Sequence, residues 1–364
     1  MLVDWENELL NNITKADELK NLLKMSEEET ERLSKTLEMY PMSISRYYLS
    51  LINFNDENDP IRKMCIPDIA ENVSGGMKDT SGEALNTKLQ GIQQKYPQTA
   101  LILSTSQCAM YCRHCFRKRL VGVENNEVVN NRKTVYDFVS EHKEISNVLI
   151  SGGDAFLNSN EVIEDYLKNL TEIPHLDLIR FGTRTPVVFP TRIYGDNGLL
   201  DILKKYTLKK RIIVVTQFCH PNEITSESEK AVKALNNIGV TVRNQAVLLK
   251  GINDNSMVIA DLMRGLTAIG VDPYYIFQCR PVEGVKNNFQ VPLLKGYEIV
   301  ENAKKQLNGV SKSFRFVMSH ETGKMEVLGS ARQNYLVFKY HEAKNPDDYG
   351  KLFEYRIDAG QCWL

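Results

Sequence analysis

No apolar run in the sequence approaches the ~20 residues that a bilayer span requires, and there is no excess of charge. The 45 Lys and Arg stand against 46 Asp and Glu, a formal net charge of -1. The first absence predicts no membrane partner. The second excludes a global field that would hold the chain on nucleic acid, and a small-molecule substrate becomes the expectation. The opening stretch MLVDWENELLNNITKADELK is acidic and amphipathic where a secretory signal would be basic and then apolar, so a cytoplasmic protein is expected. No internal repeat of fixed period is visible. Cysteine is scarce and odd in number, seven in 364 residues, and a chain of this length buries a sizeable core without a disulfide framework. In a reducing compartment, clustered thiols point to metal binding or catalysis.

What is present falls into three textures, which predict three regions. Residues 1–90 read as a helical region and connector: ITKADELKNLLKM and SEEETERLSKTLEMY carry apolar positions at helical spacing, with Ser26 as a helix start. This region is a candidate surface for a homo-oligomer. Residues 91–310 alternate short apolar runs with helix-patterned segments. The runs ALILSTS, NVLISGG, LIRFGTR, RIIVVTQF, VTVRNQAV and PYYIFQC predict parallel β/α units. Six such strands fit an α/β fold built as a partial or complete barrel, with ligands at the carboxyl ends of the strands. Residues 311–364 read as extended pieces, a cap or an extension of the barrel.

The strand ends carry the chemistry. Cys108, Cys112 and Cys115, spaced C-x3-C-x2-C in CAMYCRHCFRKR, follow the first strand. Three thiolates hold three corners of a [4Fe–4S] cube and leave one iron open, whereas a closed zinc site needs a fourth ligand. An open iron can chelate S-adenosylmethionine (SAM) and reduce its sulfonium, releasing a 5′-deoxyadenosyl radical that abstracts hydrogen from a substrate. A zinc knuckle or plain reduced thiols is the competing reading. Ser151, Gly152, Gly153 and Asp154 end the second strand; paired glycines admit a ligand to the backbone, and Asp154 can receive an ammonium. The same residues also suit a tight turn.

CAMYCRHCFRKR, LISGGDAFL, GTRTPVVFPTRI, FCHPNEIT, NQAVLLKGIND and YYIFQC together resemble the lysine 2,3-aminomutase family of radical SAM enzymes, over about residues 55–325. The resemblance implies a partial (β/α)6 radical SAM barrel with a helical N-terminal region and a C-terminal extended cap. It also implies a cluster and SAM at the mouth, an external electron donor for the cluster, and pyridoxal phosphate held by a lysine. On it, Ser151 to Asp154, Gln245 and His220 are expected near SAM or in the site interior. His220 is equally compatible with an ordinary packed or surface histidine. Arg117 takes the position that binds the substrate carboxylate, a role suited to a planar guanidinium, while Lys118 is expected in solvent.

The chain also departs from that pattern. Lys324, in ETGKMEVLG, is the corresponding lysine but follows one glycine where the family has a run, and a turn lysine is the alternative. Tyr96 matches an aromatic position beside the cofactor ring, yet Thr99 stands where the family has a phosphate-binding arginine. Arg280 and Ser319 occupy the places of two aspartates that receive the ammonium of lysine. A cation there repels a lysine side chain and, if it faces the pocket, attracts a distal carboxylate such as that of glutamate. The family's structural zinc cysteines are missing apart from Cys362, so no zinc is expected. The expectation is therefore an isomerase moving an amino group between C2 and C3 of an amino acid other than lysine. The alternatives are a relative that has lost pyridoxal phosphate and performs another hydrogen abstraction, and a non-catalytic iron–sulfur or zinc protein.

Overall fold

In the computed structural model, which describes residues 4–123 and 126–364, every expected apolar run becomes a strand. An antiparallel arm of β1 (Thr87–Leu89) and β2 (Ile92–Tyr96) leads into β3 (Thr99–Thr105). The parallel set continues through β4 (Asn147–Gly152), β5 (Leu178–Gly182), β6 (Arg211–Thr216), β7 (Thr241–Leu248), β8 (Asp272–Gln278) and β9 (Arg315–His320). Antiparallel β10 (Gly323–Arg332), β11 (Tyr335–Ala343) and β12 (Leu352–Arg356) complete the sheet. Strand order follows chain order throughout. A parallel sheet wound in one direction has no point where the order reverses, so its helices cover one face and the sheet curls around the other.

The alternation along each strand places its side chains. In β4 and β5, Val148, Ile150, Ile179 and Phe181 are fully buried, on the face that packs against helices such as Asn160–Thr171 and Asn197–Thr207. Asn147, Leu149, Ser151 and Arg180 retain accessible surface because they face an open lumen. The helices contribute the matching stripe, including Leu167, Leu170 and Leu203, each fully buried.

Two features go beyond the sequence reading. FRFVMS is a seventh parallel strand beside β8, preceded by its own helix, Leu293–Lys304. The N-terminal helices pack on the cysteine loop: the Asn12 amide donates to Ala109 O at 2.8 Å, Tyr111 N to Ser43 O at 2.9 Å, and Arg113 N to Met64 O at 2.9 Å. Ser26 caps the helix Glu27–Met39 as expected, its Oγ accepting from Glu29 N. The first three residues of the expected helical region lie outside the described residues. Among the described residues no helix is long and apolar enough to cross a membrane.

Candidate active site

The barrel mouth and lumen form one cavity of about 370 Å³ that contains Cys108, Cys112, Cys115, Arg117, Arg280 and Lys324. Two glycines let the second strand meet the cysteine loop. Gly152 has φ +113, and a Cβ there would lie 2.3 Å from Thr105 O; at Gly153 it would lie 2.3 Å from Gln107 O. Gly153 N and Asp154 N instead donate to those carbonyls at 2.6 and 2.8 Å.

The three thiols share the cavity, the donor set of a cluster bound through three corners, while among the described residues no three side chains are placed to hold a single metal ion. Burial, aided by Asp154 and by the neighbouring cysteines, pushes the Cys108 thiol up, and burial with Cys112 pushes Cys115 up to about 11. Such mutual opposition to ionisation is relieved when a cation displaces the protons. Arg184 Nη1 donates to Cys112 Sγ at 2.7 Å while its Nη2 pairs with the fully buried Glu223 at 2.5 Å. His114 lines the cavity beside Gln217, and burial holds its imidazole neutral, well below the usual histidine range.

The loop is anchored by charges that sequence reasoning missed. Arg113 reaches Glu71 through two nitrogens, at 2.8 and 2.5 Å, and Lys118 Nζ lies 2.7 Å from the same carboxylate. All three side chains are under a tenth exposed. Lys118 therefore lies in the interior, and burial pushes it down to about 8. The expectation that Lys118 lies in solvent fails because Glu71 and Tyr40 of the N-terminal region cover it.

Glu83 plays the same part for the pocket arginines. Its Oε1 accepts from Arg117 Nε at 2.7 Å and its Oε2 from Arg119 Nη2 at 2.8 Å, while Arg117 Nη1 also reaches Ser151 Oγ at 3.3 Å. Arg280 donates to Ser319 Oγ at 2.8 Å and leaves Nη1 buried with no hydrogen-bond partner among the described residues. Burial, offset in part by Glu83, lowers it to about 10. Lys324 Nζ lies 2.5 Å from Glu342 Oε2 and 4.8 and 5.8 Å from the ring centroids of Tyr275 and Tyr96. These residues suit pyridoxal phosphate: an amine that can hold it, aromatic rings beside that amine, and a buried Tyr96 hydroxyl with no partner among the described residues.

Two residues are placed otherwise than the sequence implied. Asp154 is 3% exposed, and its carboxylate accepts from Phe156 N, Arg184 N, Thr183 Oγ1 and Thr185 Oγ1, so it ties the second strand to the 183–185 loop. Three of these bonds fall on Oδ1 and one on Oδ2, so the carboxylate has a structural task beside any contact with a ligand. His220 does not line the cavity; its Nδ1 accepts from Asn222 N at 3.1 Å and caps a short turn. Gln245, on the lumen face of β7, does line it.

A singly wound barrel opening on three clustered thiols is the architecture of an enzyme that cleaves SAM reductively. Comparison with known proteins agrees. A 4Fe-4S single cluster domain matches residues 97–183, which include the cysteine loop. L-lysine 2,3-aminomutases of Clostridium subterminale and Fusobacterium nucleatum are each 39% identical, over 84% of this chain and 73% and 71% of theirs. A glutamate 2,3-aminomutase of Clostridioides difficile is 38% identical, over 85% of this chain and 73% of that protein. The chain belongs to the lysine 2,3-aminomutase family and is a radical SAM isomerase using a [4Fe–4S] cluster and SAM. A non-catalytic metal protein is thereby excluded.

Proposed function

We propose that this enzyme moves the amino group of an acidic amino acid, glutamate best fitting the pocket, from C2 to C3 with return of hydrogen to C2. The observation that carries the reading is Arg280 Nη1, a guanidinium nitrogen buried in the cavity without a partner among the described residues, in the same cavity as Arg117. Six cationic side chains, Lys95, Arg117, Arg180, Arg184, Arg280 and Lys324, share that cavity with three carboxylates, Glu83, Asp154 and Glu342. A second ammonium would meet repulsion, and a second carboxylate meets an unpaired donor.

The cluster with SAM supplies hydrogen abstraction, and pyridoxal phosphate carries the migrating nitrogen. Arg117 binds the α-carboxylate, with Glu83 holding the guanidinium at Nε and Ser151 Oγ and Gly152 O steadying it through long contacts at Nη1. Arg280 and Ser319 receive the distal carboxylate. Glu342 keeps Lys324 directed at the cavity until it takes up the cofactor.

The test compares L-glutamate, L-aspartate and L-lysine with wild type and Arg280→Asp under anaerobic reducing conditions. Wild type should favour glutamate. Arg280→Asp should lose that preference by about 10- to 100-fold in kcat/KM, the worth of one charge-assisted hydrogen bond, and gain on lysine. Unchanged selectivity in the variant would show that Arg280 does not face the substrate.

A further inference from the structure

A phosphate group needs cationic or backbone donors, and the arginine that the family resemblance places at position 99 is Thr99 in this chain. The structure brings another guanidinium to the same place. Thr99 Oγ1 accepts from Asn147 Nδ2 at 3.1 Å, and Asn147 Oδ1 accepts from Arg180 Nη2 at 2.5 Å. The neighbouring strands enforce this relay, since Thr99 pairs with Asn147 across β3 and β4, and Leu149 with Arg180 across β4 and β5. Ile179 and Phe181 are fully buried on the outer face, so Arg180 is turned into the lumen. Its hydrogen bond goes to a neutral amide, and its Nε is buried with no partner among the described residues. Glu342, which Lys324 already occupies, is a nearby carboxylate that offsets this charge from a distance, and a cation buried without a hydrogen-bonded anion is costly unless a ligand supplies one.

The remaining parts of the site stand around it. Arg180, Lys95, Tyr96, Thr99 and Lys324 line one cavity. Glu342 pairs with Lys324 at 2.5 Å and lines the same cavity as Arg180, whose charge also helps hold its carboxyl low. A group held at Lys324 therefore has Arg180 within its neighbourhood. The fork of a guanidinium suits phosphate oxygens better than an ammonium does.

We infer that Arg180 binds the phosphate of pyridoxal phosphate, in place of the arginine absent at position 99. The inference rests on the reading of the chain as a pyridoxal phosphate enzyme. Its test separates the two. Dissociation constants for pyridoxal phosphate and for pyridoxal are measured by absorbance on the cluster-loaded enzyme, with borohydride trapping and mass spectrometry to locate the adduct on Lys324.

Wild type should prefer the phosphate form, and Arg180→Gln should shrink that preference about 10- to 100-fold while leaving pyridoxal affinity unchanged. Arg180→Lys, which retains charge and loses the fork, should fall between them and covers the case in which the glutamine variant does not fold. If both variants retain the wild-type preference, or if Lys95→Gln abolishes it and the Arg180 variants do not, the inference is overturned. If wild type binds neither compound, the cofactor reading fails and the inference with it.

Discussion

Replacing Glu71 by glutamine probes how the cysteine loop is held. The carboxylate is 2% exposed and receives Arg113 at 2.8 and 2.5 Å and Lys118 at 2.7 Å. Burial pushes Glu71 up, but Arg113 and Lys118 more than reverse this and hold it below the ordinary carboxylate range. Removing one member of such a group leaves buried charge uncompensated and costs about 3–5 kcal/mol. Since Arg113 lies between Cys112 and His114, and Lys118 three residues past Cys115, the loss falls on the cluster loop. Urea denaturation at pH 7 should put Glu71→Gln about 3 kcal/mol below wild type, and iron bound per chain after reconstitution should fall. The pH dependence carries the sign. A carboxylate with a depressed folded pKa stabilises above its unfolded pKa, and that contribution is lost as pH falls through the folded value. The gap between wild type and variant should therefore narrow below about pH 4.5. A gap under about 1 kcal/mol at pH 7, the range of an exposed pair, or one independent of pH, refutes the reasoning.

Further outcomes follow from neighbouring geometry. Arg184→Met removes a charged donor from Cys112 Sγ; hydrogen bonds to cluster sulfurs raise the potential, so an EPR-monitored titration should find the cluster tenfold harder to reduce, about 60 mV more negative, with Arg184→Lys shifted less. Lys95, lowered to about 7 by burial and then by Arg280 and Lys324, has a folded pKa below its unfolded one. The unfolded chain thus holds the extra proton between about pH 7 and 10.5, wild-type stability rises across that window, and Lys95→Met should be more stable at pH 7 with an advantage that shrinks towards pH 10; an advantage that grows with pH contradicts this. Gly153→Ala drives a Cβ into Gln107 O, and reconstituted protein should lose cluster absorbance while far-UV circular dichroism stays near wild type.

Much of this was legible in the sequence because barrel strands carry their chemistry at one end. The cysteine loop could be read from spacing and strand context, and Arg117, Arg280 and Lys324 from the family resemblance, and all of them line one cavity. What escaped were partners distant in the chain. Glu71 lies 42 residues from Arg113 and Glu83 lies 34 from Arg117, and no local pattern marks a carboxylate as the counter-ion of a buried cation. Lys118 looked solvated because it sits in a run of three cations, whereas its neighbours in space are Glu71 and Tyr40 from the N-terminal region. Arg180 did leave a signal: a lone cation inside the otherwise apolar strand LIRFG belongs either to an edge or to a lumen. The seventh strand had one too, since FRFVMS follows an amphipathic helix and ends in a buried run, the mark of a further parallel unit.

The central claim, nitrogen migration on an acidic amino acid, is tested most directly by following the nitrogen. Cluster-loaded enzyme, reduced anaerobically with SAM and pyridoxal phosphate, is given L-glutamate labelled with 15N at the amino group, and NMR locates the label. The account predicts 15N on C3, with L-lysine left unchanged under the same conditions. Label that stays on C2 while SAM is cleaved to 5′-deoxyadenosine, or a faster migration on L-lysine, would contradict it.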